Sequence, residues 1–198
     1  MNTSRLHQSS NRGKTNHSGI NSFHTFSFSG YYDPDQMNFG ALRVLNDDVI
    51  TKGKGFGMHS HENMEIITIP LFGDLEHKDS MGNSSVIRNG DIQVMSAGSG
   101  IRHSEYNHSN ENVVKLLQIW IYPNQKNVQP RYDQKTLNSS ESINQLQQIL
   151  SPNPDDDGVW IHQDAWFHLG NFDSNHEINY ALKKAGNGVY LFVISGSF

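Results

Sequence analysis

Gly55-Phe56-Gly57-Met58-His59-Ser60-His61 sets two imidazoles two residues apart behind a pair of glycines. Side chains at i and i+2 of a strand leave the same face, so both rings can reach one ion. The stretch Gly98-Ser99-Gly100-Ile101-Arg102-His103-Ser104-Glu105, whose histidine falls 42 residues after His61, repeats the device with a histidine and a carboxylate. Either pair alone is a weak signal, because a chain with eleven histidines produces His-x-His by chance and most histidines are surface or hydrogen-bonded residues. Together they give three nitrogens and one oxygen approached from two glycine-flanked strands, a recognisable coordination set. The two strands must then be neighbours in a sheet.

The surrounding sequence keeps the same rhythm. Short apolar or alternating runs at residues 23–28, 40–45, 64–72, 85–87, 91–95 and 113–122 are punctuated by Gly, Asn, Asp and Pro, which predicts an all-β sandwich or barrel. One helix is expected over residues 140–150, capped by Ser139 or Ser140, with Ile143, Leu146, Ile149 and Leu150 on one face and Ser151-Pro152 as its stop. The strand rhythm resumes at residues 159–161, 166–169, 178–182 and 189–194.

These readings divide the chain into an N-terminal arm (1–22) without strong structure, a metal-binding domain (23–138), a helix and acidic linker (139–158), and the start of a second β unit (159–198). The second unit is short and reads as an incomplete, truncated barrel, which leaves a sheet edge to be covered.

Composition narrows the chemistry. With 198 residues the chain can bury a sizeable core, and with no cysteine it can form no disulfide, thiolate zinc site, iron–sulfur cluster or cysteine nucleophile. Any metal must be held by nitrogen and oxygen. The net charge of −5 comes from scattered signs, which argues against direct nucleic-acid binding. No stretch approaches the roughly 18 apolar residues of a membrane span, and a cytoplasmic protein is expected.

At this point the residues resemble a known family. Residues 55–73 and 90–107, the latter ending His103-x3-Asn107, are similar to the two motifs of the cupin superfamily. More narrowly, His24-Thr25-Phe26-Ser27-Phe28, Tyr31-Tyr32-Asp33-Pro34, the run from Phe39 to Asp48, His77-Lys78-Asp79-Ser80 and His103-Ser104-Glu105-Tyr106-Asn107 resemble pirins. The likeness runs over residues 21–122 and resumes more faintly at 160–164 and 189–196. It implies a cupin β-barrel in a bicupin architecture, with His59, His61, His103 and Glu105 holding one divalent metal, usually iron. Ser60 stands where pirins commonly carry proline. Many cupins ligate through a glutamate just after the histidine pair, but the pirin pattern places Glu65 outside the ligand set.

Nitrogen and oxygen ligands do not name the ion: Fe(II) is favoured by the resemblance, with nickel, cobalt, copper, manganese and zinc all compatible. Four protein ligands leave up to two positions open on a six-coordinate ion, as catalysis or sensing requires. Bacterial proteins similar to pirin open flavonols such as quercetin with O2. That implies a flavonoid-like substrate whose 3-hydroxyl loses a proton, with Glu105 as ligand and nearby base. The alternative implied by animal pirins is a non-enzymatic, iron-dependent regulator that binds a transcription factor or metabolic enzyme. The plainest reading is an ion that only staples the barrel.

Phe56, Met58, Met64 and Trp120 are candidates to wall a flavonoid pocket, although such residues are more often core. His77, His108, His162, His168 and His176 lack a partner at ligating spacing and read as surface or hydrogen-bonded histidines. Arg43, Asp47 and Asp48 are expected to form a buried Arg–Asp pair or a turn.

Overall fold

The computed structural model describes residues 4–197, so the first three residues of the expected arm and the last residue of the expected second unit lie outside it. The expectation of an all-β protein holds: no α-helix occurs among the described residues. The strands are β1 (Gly13–His17), β2 (Ile20–His24), β3 (Leu42–Ile50), β4 (Gly55–His61), β5 (Glu65–Phe72), β6 (Leu75–Asp79) and β7 (Ser84–Ile87). They continue with β8 (Asp91–Ser96), β9 (Ile101–Asn107), β10 (Val114–Ile121), β11 (Arg131–Thr136), β12 (Gln147–Ser151), β13 (Val159–Trp160) and β14 (Phe167–Leu169).

Eleven of these strands form two antiparallel sheets. One has seven strands in the order β1-β2-β3-β10-β5-β8-β11, the other four in the order β4-β9-β6-β7. A cavity lined from both sheets, by β2, β3, β5 and β10 on one side and β4 and β9 on the other, lies between them. The register of the larger sheet aligns a transverse row of polar side chains, His24, Asn46, Gln118, Thr68, Gln93 and Gln134. The first five are buried. Six polar groups in one row of an otherwise apolar sheet cost desolvation unless they satisfy one another or a ligand.

The opposite face of that sheet is apolar. Leu45, Ile67, Ile69, Ile92, Val94, Leu117, Ile119 and Ile121 pack in one cluster with Ile149 and Leu150 of β12 and with Val159 and Ile161. Burial on both faces explains why β5 reads as a continuous apolar run rather than an alternating one.

This packing overturns the expected helix at 140–150. The segment is a 3-10 turn at Ser139–Ser142 followed by strand β12, which pairs with β13 and β14. Asn138, not Ser139 or Ser140, caps the turn, its side chain accepting from the Ser140 amide. Asn144 at φ 54° then takes the chain out of any helix. Ile149 and Leu150 fit a helical stripe and a strand equally well. Burying each is worth roughly 1.5–3 kcal/mol, whereas helix propensities differ by about 0.5 kcal/mol per residue, so packing decides.

Two further expectations change. The arm is not structureless: β1 and β2 form a hairpin on the edge of the larger sheet, turned by Ser18 and Gly19, both with positive φ. The expected strands at 178–182 and 189–194 carry no strand pairing, and Ile178, Leu182, Val189 and Leu191 are exposed. Their β-forming residues have no neighbouring strand among the described residues to complete a ladder, and propensity without pairing is insufficient.

Candidate metal centre

β4 and β9 are neighbours in the four-stranded sheet, with His59 directly opposite His103 and Phe56 directly opposite Glu105. Three steps along β4 match two along β9 because a bulge falls between Phe56 and His59. The bulge turns Met58 outward, 49% exposed, and lets both Phe56 and His59 line the cavity. Gly55 permits the close approach at this point: a Cβ there would lie 2.1 Å from the Glu105 carbonyl oxygen.

Three of the four expected ligands converge. The ring centroids of His59, His61 and His103 are 4.4–4.9 Å apart, and one nitrogen from each lies within 4.8 Å of the others. His59 Nδ1 sits 2.7 Å from the Gly57 carbonyl, to which it donates, leaving Nε2 with a free lone pair. That Nε2 is 3.0 Å from Nε2 of His103. Two nitrogens bound at about 2.1 Å to one ion are about 3.0 Å apart at 90° and about 3.4 Å apart at the tetrahedral angle, so the spacing fits a shared ion. His61 Nε2 is buried without a hydrogen-bond partner.

Burial chiefly, and then the mutual repulsion of the rings, pushes the pKa of His61 down to about 4 and that of His103 down to about 3. Both imidazoles are therefore neutral at physiological pH, the form in which they ligate a metal.

Glu105 falls in a second group, with His103 and His77, also within 4.8 Å of one another and all buried. Its carboxylate is held from the opposite sheet: Thr68 Oγ1 donates to Oε1 at 3.2 Å, and Gln118 Nε2 donates to Oε1 at 3.1 Å and Oε2 at 2.9 Å. The transverse polar row thus grips the one acidic member of the expected set.

His77, expected to lack a partner at ligating spacing, has one at i+2. Its Nε2 lies 3.2 Å from Asp79 Oδ2, and both side chains are fully buried. His77 sits opposite Glu105, and Asp79 opposite His103. The signal in the sequence is a His-x-Asp pair, which acquires meaning only on a strand, and the short run of β6 carries no strong strand pattern of its own.

The cavity beside these residues has a volume of about 330 Å³. Phe28, Phe56, Ile66 and Trp120 give it apolar walls, and Ser22, Asn46, Asp48 and Gln118 add polar ones. Trp120 meets Phe28 edge to face at 5.3 Å and stands 4.9 Å from the His61 ring. Of the four wall candidates, Phe56 and Trp120 line the cavity and Met58 and Met64 do not. Glu65 is next to Ile66 on β5 and so leaves the opposite face, where Ser96 donates to it at 2.7 Å.

The expected Arg43–Asp pair does not form. Arg43 donates to the carbonyls of Ser27 and Met37, Asp47 pairs with Arg12, and Asp48 is buried in the cavity wall. Alternation along β3 sends neighbouring aspartates to opposite faces. Burial, and to a lesser extent the charges of Glu105 and Asp47, push the Asp48 pKa up to about 7 against the opposing effect of the Ser22 hydroxyl. His108 approaches Glu76 at 3.6 Å, while His162, His168 and His176 join no ligand group among the described residues.

The model of the Pirin family matches residues 5–121, and that of the quercetinase C-terminal cupin domain matches residues 148–198. A quercetin 2,3-dioxygenase of Escherichia coli is 44% identical over 196 residues, covering 97% of this chain and 81% of the relative. The crystal structure of YhhW from Escherichia coli superposes with a TM-score of 0.78 at 48% identity, covering 81% of this chain and 68% of that one. The same bacterial pirin in complex with nickel(II) superposes with a TM-score of 0.77 at 47% identity, with the same coverage.

Proposed function

The chain belongs to the pirin family of cupins, and from that premise we propose that it is a metal-dependent dioxygenase opening flavonols such as quercetin with O2. The observation that carries the proposal is the convergence of His59, His61 and His103 on one side of a half-apolar cavity. Relatives named quercetin 2,3-dioxygenase and a nickel complex of a bacterial pirin support it.

In this reading His59, His61, His103 and Glu105 hold one divalent ion, Fe(II) first, with nickel, cobalt, copper, manganese or zinc compatible with the same donors. When bound, the ion supplies Lewis acidity that lowers the pKa of a coordinated hydroxyl, by an amount comparable to the fall from about 15.7 to about 7 for water. The chain's own residues do the rest. Phe28, Phe56, Ile66 and Trp120 accept a flat aromatic ligand and exclude water. Glu105 takes the proton of the flavonol hydroxyl, and Gln118 and Thr68 fix its carboxylate while it does so. The Gly57 carbonyl keeps His59 in the ligating tautomer.

No helix among the described residues is long and apolar enough to cross a membrane. A cytoplasmic location forms part of this proposal.

The test is oxygen uptake with quercetin by metal-free protein reconstituted separately with each ion, with His59→Ala and Glu105→Gln as controls. Metal-dependent uptake that is lost in both variants is expected. Tight metal binding without turnover under any ion would replace the enzyme by a metal-dependent regulator of another protein.

A further inference from the structure

The polar wall of the cavity holds one acid, Asp48, that the reaction as described does not use. Asp48 leaves β3 into the cavity, with Ser22 opposite on β2 and Leu116 opposite on β10. Asp48 is 1% exposed, and its Oδ1 is buried without a hydrogen-bond partner. An unsatisfied buried acceptor costs about 1–3 kcal/mol, more when it is charged, and the other acid in the cavity, Glu105 of β9, receives three hydrogen bonds from the larger sheet. Asp48 Oδ1 is thus a buried acceptor with no partner among the described residues, in the wall of a cavity sized for a small aromatic ligand.

Resting on the flavonol reading, we propose that Asp48 is a substrate-recognition residue: its unpartnered carboxylate oxygen accepts a hydrogen bond from a second hydroxyl of the polyhydroxylated aromatic whose first oxygen lies at the histidine cluster. The cavity then reads hydroxylation pattern. One polar contact is made at His59, His61 and His103, the other at Asp48, and Phe28, Phe56 and Trp120 hold the ring between them. A ligand with only the first hydroxyl leaves Asp48 unpaired and binds more weakly, as polar sites discriminate against analogues that lack the matching group.

The experiment measures equilibrium binding of quercetin and of 3-hydroxyflavone, which keeps only the 3-hydroxyl, to nickel-loaded protein under argon so that no turnover intervenes. Wild-type protein is expected to prefer quercetin by about tenfold or more, the worth of one hydrogen bond to a carboxylate. Asp48→Leu, which replaces the acceptor with an apolar group of similar size, is expected to bind quercetin no better than 3-hydroxyflavone, with no loss of affinity for the latter. Asp48→Asn retains a neutral acceptor and is expected to narrow the preference without abolishing it, a readout that serves if the leucine variant fails to fold. A wild-type protein without preference, or variants that keep the full preference or lose affinity for both ligands equally, overturn the role of Asp48. Wild-type protein that binds neither ligand overturns the flavonol reading itself, and the inference with it.

Discussion

Nε2 of His59 and Nε2 of His103 face each other at 3.0 Å across β4 and β9. At that distance one ring N–H can donate to the other nitrogen in the metal-free protein, and a shared cation would replace that single hydrogen bond with two metal–nitrogen bonds. A divalent ion should therefore stabilise the fold. An ion present at about 100 times its Kd adds about 2.7 kcal/mol, which raises the melting temperature of a chain this size by roughly 5–10 °C. Differential scanning calorimetry with and without ion should show that shift, and His59→Ala and His103→Ala should abolish it.

Glu105→Gln separates ligation from proton transfer. The amide keeps one oxygen near the histidines but offers no base, so loss of turnover by about 10²-fold or more is expected while metal content falls less. Metal analysis and oxygen uptake on the same preparation decide this. Gln118→Leu, which removes the amide that donates to both Glu105 oxygens, should lower turnover by a smaller factor and leave metal stoichiometry intact.

Asp48 gives the metal-free protein a pH dependence of defined sign. Its pKa is about 7 in the folded state against 3.8 for an ordinary aspartate, so the folded chain retains a proton that the unfolded chain releases between those values. The stability gained is complete below about pH 4 and is lost as pH rises through about 7. At about 1.36 kcal/mol per pH unit the loss is at most about 4 kcal/mol. Urea unfolding of metal-free protein should show this decline, and Asp48→Asn should flatten it and be the more stable form at pH 8.

The convergence of His59, His61 and His103 was legible in the sequence because its spacing is local: the histidines lie on two short strands announced by glycines, His59 and His61 two residues apart. What surrounds it was not. Gln118 and Thr68 reach Glu105 only through the pairing of β10 with β5, and Asp48 reaches the cavity only because β3 lies between β2 and β10 with that face turned inward. The helix expected at 140–150 failed for a related reason. Ile149 and Leu150 are buried by a sheet folded from residues far away in sequence, and a local periodicity cannot report that. Ser18-Gly19 turns a hairpin without the Asn-Gly or Asp-Gly signature, which hid β1.

Gly55 tests how tightly β4 must lie on β9. A methyl group there would collide with the Glu105 carbonyl oxygen at 2.1 Å and with Tyr106 Cα at 2.5 Å, both backbone atoms that cannot rotate aside. Gly55→Ala should spread the two strands where they set His59 against His103. A fall in metal affinity larger than the fall in the stability of the metal-free protein is expected, from metal titration and urea unfolding. Equal losses would mean that the glycine serves the fold alone.

Arg131 ties the back of the larger sheet to the second β unit. Its Nη1 donates to the Trp160 carbonyl at 2.6 Å, its guanidinium lies 3.9 Å from the Trp160 ring centroid, and its Nη2 reaches Asp133 at 3.2 Å. A planar guanidinium can stack and donate in two directions at once, whereas a lysine ammonium can do one or the other. Arg131→Lys should cost about 1–3 kcal/mol in urea unfolding. Because the lost contacts join β11 to β13, hydrogen exchange should quicken first at β12 and β13 while β9 and β10 stay protected. Uniform loss of protection across both sheets would instead show that the second unit and the larger sheet open as one.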